Sequence, residues 1–183
     1  NILNNYTVTD KADGLRKLLF INDDGKIYLL DTLLKVQFTG CKTKNKKFFN
    51  TIADGEHILL NKFKKFENTL ALFDIYYVDT LDIRKYDFYK DKKNNSGSKS
   101  KENKTRHEIL VGFTKEINIE SLTNNNKFNL LIKSFYPINE DNLFNSCNNL
   151  LKKVNSIDYS YETDGLIFTP NNISVGTNDI DEE

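Results

Sequence analysis

The chain has 183 residues, the size of one domain, and its 26 Lys and Arg balance its 26 Asp and Glu to a formal net charge of zero. That balance excludes a generally basic nucleic-acid binder, because such proteins need excess cations to displace the counterions of a phosphate backbone. No run of residues approaches the roughly 18 apolar positions of a membrane span, and the two cysteines, Cys41 and Cys147, cannot build a disulfide framework. Few cysteines favour a reducing, intracellular setting.

The first 80 residues predict a series of short strands. The sequence Asn-Asp-Asp-Gly at 22–25 is a strong turn signal between two apolar, β-compatible stretches, which indicates a hairpin. The predicted strands cover residues 6–9, 15–21, 26–31, 36–39, 50–52, 56–60 and 70–78. This density of strands favours an α+β fold with antiparallel or mixed sheets and flanking helices.

The second half of the chain changes character. Residues 90–106 carry seven cations and two anions around an Asn-Asn-Ser-Gly-Ser stretch, which predicts a flexible basic surface loop. Such a loop is either a tolerated insertion or a contact for an RNA backbone. Residues 139–156 predict a helix with Asn139 as its cap, because six apolar residues share one face: Leu143, Phe144, Cys147, Leu150, Leu151 and Val154.

One segment places a lysine in a turn between two predicted strands. It is Lys-Ala-Asp-Gly-Leu-Arg at 11–16. An amine at such a turn can attack a phosphorus centre and hold a nucleotide covalently, provided that its pKa is low enough to leave some neutral amine. Lysine-rich turns are also common on ordinary surfaces, so this hexapeptide alone does not separate the two interpretations.

Two later segments place carboxylates beside glycines at predicted strand edges. They are Ile-Ala-Asp-Gly-Glu at 52–56 and Thr-Asp-Gly-Leu-Ile-Phe-Thr-Pro at 163–170. Carboxylates that face a pocket can bind ribose hydroxyls or a divalent metal ion. Between these segments lies Phe73, which has the residue type for stacking on a base and equally for packing in the core.

The order of these segments carries a family resemblance. With KADGLR at 11–16, ADGE at 53–56, LFDIYYVD at 72–79 and TDGLIFTP at 163–170, the sequence resembles the nucleotidyltransferase domain shared by mRNA capping enzymes and polynucleotide ligases. The segment TDGLIFTP is more similar to the mRNA guanylyltransferase branch, since the matching ligase strand usually begins with Glu-Gly. The abundance of Asn and Lys suggests a large DNA virus as the source. The resemblance implies an α+β, ATP-grasp-like catalytic lobe.

The resemblance also implies a reaction and its residues. Lys11 is expected to attack the α-phosphate of GTP, to form a lysyl-N–GMP intermediate and to pass GMP to the 5′-diphosphate end of an mRNA. The cofactor implied is Mg²⁺ or Mn²⁺, with Asp164 as a possible ligand. The nucleotide-binding residues implied are Arg16 and Glu56 at the ribose, Phe73 at the purine face, Lys133 near the guanine and Asp164 near the α-phosphate.

The end of the sequence departs from the family pattern. The family's last motif in this domain, a strand with two lysines that grip the phosphates, is expected after the TDGLIFTP strand, but residues 171–183 contain no lysine. We therefore expect residues 1–183 to be a partial nucleotidyltransferase domain with a truncated acidic tail at 171–183 and no OB-fold lobe. Such a piece is expected to be weak or inactive alone.

Two other functions remain open at this stage. An ATP-dependent ligase domain would use the same chemistry to adenylylate Lys11, and a non-catalytic relative would only bind a partner or RNA. For a capping enzyme we expect GTP and nascent mRNA 5′ ends as partners, together with fused or associated RNA triphosphatase and cap methyltransferase domains, and no membrane. The expected location is the host cytoplasm, in a viral factory, or the virion.

Overall fold

The computed structural model describes residues 5–90, 104–123 and 128–176. Within these residues, eleven strands form two sheets and two α-helices lie against them. The strands are β1 Tyr6–Ala12, β2 Leu15–Ile21, β3 Lys26–Leu30, β4 Val36–Thr43, β5 Thr51–Leu60, β6 Phe66–Val78, β7 Leu81–Asp82, β8 Ile119–Ser121, β9 Asn129–Ile132, β10 Tyr136–Ile138 and β11 Thr163–Pro170. The helices are α1 Arg106–Glu116 and α2 Leu143–Val154, and a short 3₁₀ turn covers Lys46–Phe48.

The larger sheet has eight strands. Its order is β7-β6-β5-β2-β3-β4-β8, and β9 pairs with β6 in parallel. Side chains alternate along its strands, so that Leu19 and Ile21 of β2 are buried on one face. Helix α1 packs on that face and adds Leu110 and Phe113 to the same core. Helix α1 does not cover the opposite face of this sheet.

The smaller sheet has three strands in the order β10-β1-β11, all antiparallel. Helix α2 covers one side of it, where Leu150 and Val154 pack with Val8 and Ile138. The sheet also contacts the larger one, because Ala12 of β1 lies in a cluster with residues of β5 and β6. Strand β1 is therefore covered on both faces and is buried from Thr7 to Asp10.

The turn between β1 and β2 connects the two sheets. Gly14 lies in this turn so close to β5 that an added Cβ would be 2.8 Å from the carbonyl oxygen of His57 and 2.9 Å from Cγ of Glu56. Any larger residue would push the turn away from β5. The absence of a side chain at Gly14 thus allows the β1–β2 turn to lie directly against β5.

The predicted α+β class is confirmed, and most predicted strands are present. Residues 50–52 and 56–60, predicted as two strands, belong to the single strand β5. Gly55 does not interrupt it, because β5 and β6 accommodate the glycine with shifts in register at Asp54/Gly55. The hairpin at 22–25 is also confirmed, and Gly25 adopts a left-handed φ of 83° there.

The predicted basic loop was wrong at its C-terminal end. Thr105 caps helix α1, since its hydroxyl accepts a hydrogen bond from the backbone N–H of Glu108 and the Glu108 side chain bonds back to the cap. Arg106 is only 2% exposed. Its Nε and Nη2 donate to the two carboxylate oxygens of Asp74 at 2.9 and 3.1 Å. The basic composition of the stretch does not indicate that Arg106 forms a buried ion pair. Residues 91–103 lie outside the described part of the chain.

The second predicted helix is present but begins later than expected. It starts at Leu143, and Asn142 occupies the cap position, so the cap predicted at Asn139 was wrong. The side chain of Asn142 accepts a bond from the backbone N–H of Asn139, which holds the two residues in a turn before the helix. Leu143, Cys147, Leu150 and Val154 of the predicted apolar face are in the core of the small sheet. Phe144 and Leu151 are 86% and 42% exposed, so their predicted burial was wrong.

The C-terminal residues are partly anchored. The backbone N–H of Asn171 donates to Asn5, and its carbonyl accepts from Phe88 at 2.6 Å. The predicted frayed end at 179–183 lies outside the described residues. In the described part of the chain, neither helix is long and apolar enough to cross a membrane.

We predict that the Arg106–Asp74 pair is required for stability. Arg106→Met should lower the free energy of unfolding by about 3–5 kcal/mol, because it leaves a buried carboxylate without its counter-charge. The matched control is Arg84→Met, which removes an exposed pair with Asp82 and should lower the free energy of unfolding far less, because water screens that pair. Urea denaturation measures both values, and equal losses in the two variants would contradict the prediction.

Candidate active site

A cleft lies where the small sheet meets the uncovered face of the large one. It includes a cavity of about 180 Å³ whose lining residues come from both sheets and from the segments that follow β7 and β9. The lining is mainly apolar and aromatic, with a few polar groups, which is typical of a ligand pocket. The lining residues are Thr9, Phe73, Asp74, Phe88, Lys133, Phe135, Ile167 and Thr169.

Lys11 is an exposed amine held by a carboxylate. Its Nζ donates to Oδ2 of Asp164 at 2.6 Å, and both side chains are about half exposed. The two residues meet at a β-bulge, where the pairing of β1 with β11 shifts between Asp10 and Ala12. Gly165, with φ of 153°, supplies the backbone conformation that this bulge needs.

The Lys11–Asp164 contact has an electrostatic consequence. The hydrogen bond that Lys11 donates to Asp164, reinforced by the charges of Asp164, Asp13 and Glu56, raises the pKa of the Lys11 amine. The same contact lowers the pKa of the Asp164 carboxyl. Without a ligand, Lys11 is therefore a protonated ammonium and is not yet a nucleophile.

Arg16 is fixed by a buried carboxylate. Its Nη2 donates to Oδ2 of Asp54 at 2.6 Å, and its Nε is 3.2 Å from both carboxylate oxygens. Asp54 is fully buried, and the hydroxyl of Tyr76 donates to it at 2.6 Å. The hydrogen bond to Asp54 raises the pKa of Arg16 further. More than half of the Arg16 side chain is exposed to solvent and can contact a ligand.

Glu56 lies among the site's cations. It is opposite Arg16 in the β2–β5 register and contacts the Gly14 turn. Burial raises the pKa of its carboxyl, while the charges of Lys133, Arg16 and Lys11 lower it. A half-buried carboxylate in this position can accept hydrogen bonds from ligand hydroxyls.

Phe73 belongs to the cavity and not to the hydrophobic core. Its neighbours on β6, Leu72 and Ile75, are fully buried in the core, whereas Phe73 is half-buried and lines the cavity. Arg16 and Lys133 each lie near its ring, with the guanidinium carbon 5.9 Å and the ammonium nitrogen 5.8 Å from the centroid. The ring is thus available for stacking, which stays a prediction.

Lys133 is a buried lysine in the wall of the cavity. It is 4% exposed, and its Nζ lies 3.5 Å from Oδ2 of the buried Asp10 and donates to the Asp10 carbonyl. Burial lowers the pKa of the amine, and the charges of Asp10 and Glu56 oppose that shift. The segment that carries Lys133 follows β9 directly, and its backbone N–H bonds to the carbonyl of Leu72.

The described residues fit a divalent metal ion only in a limited way. They contain no group of three or more His, Cys, Asp or Glu side chains that could hold an ion. Mg²⁺ at phosphate sites is usually held by one or two carboxylates together with phosphate oxygens and water. Asp164 fits this pattern, because its carboxylate is exposed beside Lys11.

Of the six residues expected at the site, Phe73 and Lys133 line the cavity. Arg16 lies near the Phe73 ring and opposite Glu56, and Lys11 pairs with Asp164. The roles assigned to these residues stay predictions. Sequence reasoning missed the supporting carboxylates Asp10 and Asp54 and the cavity residues Thr9 and Ile167. Asp54 is part of the ADGE segment, yet its partner Arg16 is 38 positions away. The strand register of β2 and β5, which pairs Leu18 with Asp54, is what brings them together.

The fold is similar to that of solved DNA ligase structures. The mycobacterial DNA ligase D complexed with ATP and MES matches 92% of this chain with a TM-score of 0.55 at 11% identity. The ligase domain from M. tuberculosis LigD matches the same share with a TM-score of 0.54 at 10% identity. The chain covers 49% and 48% of those two chains. At such identities the likeness shows the nucleotidyltransferase fold alone.

The sequence comparisons separate capping enzymes from ligases. A probable mRNA-capping enzyme of Acanthamoeba polyphaga mimivirus is 37% identical over 83 residues, which are 45% of this chain and 7% of that protein. The family described as mRNA capping enzyme, catalytic domain, matches residues 2–180. That match covers nearly the whole chain, including every motif that surrounds the cleft, and the chain therefore belongs to the mRNA capping enzyme catalytic domain family.

Proposed function

We propose that this protein is an mRNA guanylyltransferase that transfers GMP from GTP, through a covalent intermediate on Lys11, to the 5′-diphosphate end of an RNA. The observation that supports this proposal is the Lys11–Asp164 pair at the bulge of β1 and β11, in a chain that also has a cavity lined by Phe73 and Lys133. Arg16 and Glu56 are proposed to bind the ribose hydroxyls, and Phe73 to stack on the purine.

The first step of the proposed reaction makes one bond and breaks another. The neutral Nζ of Lys11 attacks the α-phosphorus of GTP, the bond from this phosphorus to the bridging oxygen breaks, and pyrophosphate leaves. In the second step an oxygen of the RNA 5′-diphosphate attacks the same phosphorus and releases Lys11. Both steps depend on positioning and charge neutralisation more than on covalent machinery.

The Lys11 amine must lose a proton before it attacks. In the unliganded protein Asp164 holds it as an ammonium ion. We propose that Asp164 is the carboxylate that would hold a Mg²⁺ or Mn²⁺ ion, which when bound would neutralise phosphate charge and make the α-phosphorus a better electrophile. The hydrogen bond to Asp164 is the main cause of the raised pKa of Lys11, so a change that breaks this bond would lower that pKa.

The choice of nucleotide distinguishes the main alternative. An ATP-dependent ligase would label Lys11 with AMP and not with GMP, so labelled GTP and ATP should be compared on the natural full-length protein. The capping family match and the mimivirus relative favour GTP. A non-catalytic relative would show no covalent label with either nucleotide.

The proposed setting follows from the same relative. The mimivirus protein supports an intracellular viral context, and a capping enzyme requires GTP and an RNA end. Associated RNA triphosphatase and cap methyltransferase domains stay predictions, as does the choice between host cytoplasm and virion. This chain spans 7% of the mimivirus protein and about half of the similar ligase chains, so these statements about the whole protein are proposals.

We predict that Lys11→Ala abolishes covalent transfer of GMP. The exposed amine contributes little to packing, so the fold should be retained. The measurement is covalent labelling of the full-length protein by α-labelled GTP, with label that resists alkali and is released by acid, as expected of a phosphorus–nitrogen bond. Lys44→Ala is the matched control, since Lys44 is an exposed lysine that pairs with Glu120. The same alkali-stable label on the Lys11 variant would refute the assignment.

Phe73→Ala should weaken GTP binding by about 1–3 kcal/mol, the usual scale for a lost base-stacking contact. Phe73→Tyr should have little effect because an aromatic face remains. Titration calorimetry measures the affinity, and Phe66→Ala serves as control, because Phe66 is an exposed aromatic at the start of the same strand. Normal GTP affinity with a lower melting temperature in Phe73→Ala would show that Phe73 is a packing residue.

Asp164→Asn should lower the pKa of Lys11 in the unliganded protein, since it removes the main cause of the raised value. The measurement is the pH dependence of acetylation at each lysine, followed by mass spectrometry. The Lys11 profile should move to lower pH, while Lys26, whose pKa is raised by Asp24, should keep its profile as an internal control. An unchanged Lys11 profile would contradict the proposed role of Asp164.

A further inference from the structure

The side of the large sheet that α1 does not cover carries two rows of apolar side chains on β2, β3 and β4. Residues that are opposite one another in a sheet point to the same side, so strand register defines each row. The alternate residues Leu19 and Ile27 are buried in the core on the other side. We call the two rows the open face; they are Leu18, Leu30 and Val36, and Phe20, Tyr28 and Phe38.

The open face is apolar and yet accessible to solvent. Val36 and Phe38 are 59% and 44% exposed, and the other four residues are half-buried. None of the six belongs to a hydrophobic cluster of the described residues. The solvated side of an antiparallel sheet normally carries polar side chains. A contiguous apolar surface in that position is typical of a binding site.

Three aromatic rings on neighbouring strands form the second row. The ring centroids of Tyr28 and Phe38 are 5.2 Å apart, and Phe20 is opposite Tyr28 in the β2–β3 register. Aromatic side chains on adjacent strands of a sheet can stack successive bases of a single strand of RNA. Such stacking tolerates any sequence, because every base has a π-face. This tolerance suits an RNA end whose sequence differs from one transcript to the next.

Lysines without ion-pair partners border the open face. Lys35 is exposed at the end where Val36 lies, and Lys42 follows the buried Cys41 on β4, so that its side chain projects to the side of the open face. Neither lysine forms an ion pair with another described residue. The carboxylates of the adjoining turns are engaged elsewhere, Asp24 by a lysine of β3 and Asp31 by backbone N–H groups of its own turn. The charge and the rings together complement a polyanion that carries bases.

The open face is continuous with the proposed active site. Arg16 and Leu18 lie two positions apart on β2 and therefore point to the same side of the sheet. Leu18 is also opposite Asp54, the carboxylate that holds Arg16. Phe20 comes two positions later, about 13 Å from Arg16 along the strand. When the RNA 5′-diphosphate reaches the phosphorus on Lys11, its next few nucleotides can extend over the open face.

We propose that the open face binds the acceptor RNA as a single strand, whose first bases stack on Phe20, Tyr28 and Phe38 while Lys35 and Lys42 contact its phosphates. The inference deepens the proposed function and rests on it, because it assigns the acceptor of GMP to a surface separate from the nucleotide cavity. Rings and ammonium groups of this kind do not read base edges, so RNA of any sequence should bind.

The first test measures binding of a single-stranded, ten-nucleotide 5′-diphosphate RNA to the full-length protein by fluorescence anisotropy. Phe38→Ala should weaken binding by roughly 5- to 150-fold, the usual scale for one lost base-stacking contact. Lys42→Gln should reduce the slope of log affinity against log salt by about 0.7, the value for one phosphate contact with a single strand. Phe63→Ala and Lys65→Gln are the matched controls and should bind RNA normally, since both residues are exposed in the turn between β5 and β6.

The two half-reactions distinguish this inference from the proposed function. Phe38→Ala should keep the wild-type rate of Lys11 labelling by GTP, and it should raise the RNA concentration needed for half-maximal GMP transfer by the same factor as its loss of RNA affinity. Absence of Lys11 labelling in the wild type refutes the guanylyltransferase. RNA binding that Phe38→Ala and Lys42→Gln leave unchanged overturns the inference, even where the labelling is normal.

Hydroxyl-radical footprinting of the wild-type protein decides the case in which a variant does not fold. Tyr28 and Phe38 should be oxidised in the free protein and protected by RNA, whereas Phe63 should be oxidised equally in both states. Oxidation of Tyr28 and Phe38 that RNA does not reduce overturns the inference. Protection that is already present in the free protein also overturns it, because another part of the chain or a second copy then covers the open face.

Discussion

The close approach of the β1–β2 turn to β5 is the constraint on which the site depends. A Cβ at position 14 would lie 2.8 Å from the His57 carbonyl oxygen. Because Gly14 has none, the turn that follows the central strand of the small sheet can pack against the large sheet. This contact places Lys11 before the turn and Arg16 after it, on strands of different sheets. A single short turn thus gives both the proposed nucleophile and a proposed ribose contact their positions.

Charge is distributed along the cleft in two different ways. Lys11 and Asp164 form an exposed pair that water and ligands can reach, and such a pair is weak enough to exchange partners. Arg16 with Asp54, and Lys133 with Asp10, each rest on a fully buried carboxylate that cannot leave. The three pairs therefore differ in how easily a partner can be replaced.

The resemblance to ligases limits what the fold can explain. The same architecture, at a TM-score of 0.55 and 11% identity, occurs in a DNA ligase complexed with ATP. The fold itself therefore does not choose between the two purines. Any preference between them has to come from side chains that differ between the two proteins, and the charged residues that line the cavity of this chain are Asp74 and Lys133.

The sequence by itself determined the family and the α+β class, because its four motifs follow one another in the order that is typical of this family. The roles of the six predicted site residues stay predictions. The sequence did not determine helix α1 or the partners of the buried charges. Arg106 belongs to a basic stretch by composition, yet Asp74 lies 32 positions away and pairs with it inside the core. Asp10 and Lys133 are 123 positions apart. Only the packing of the two sheets brings such pairs together, since strand register and layer contacts join residues whose separation in sequence carries no local signal.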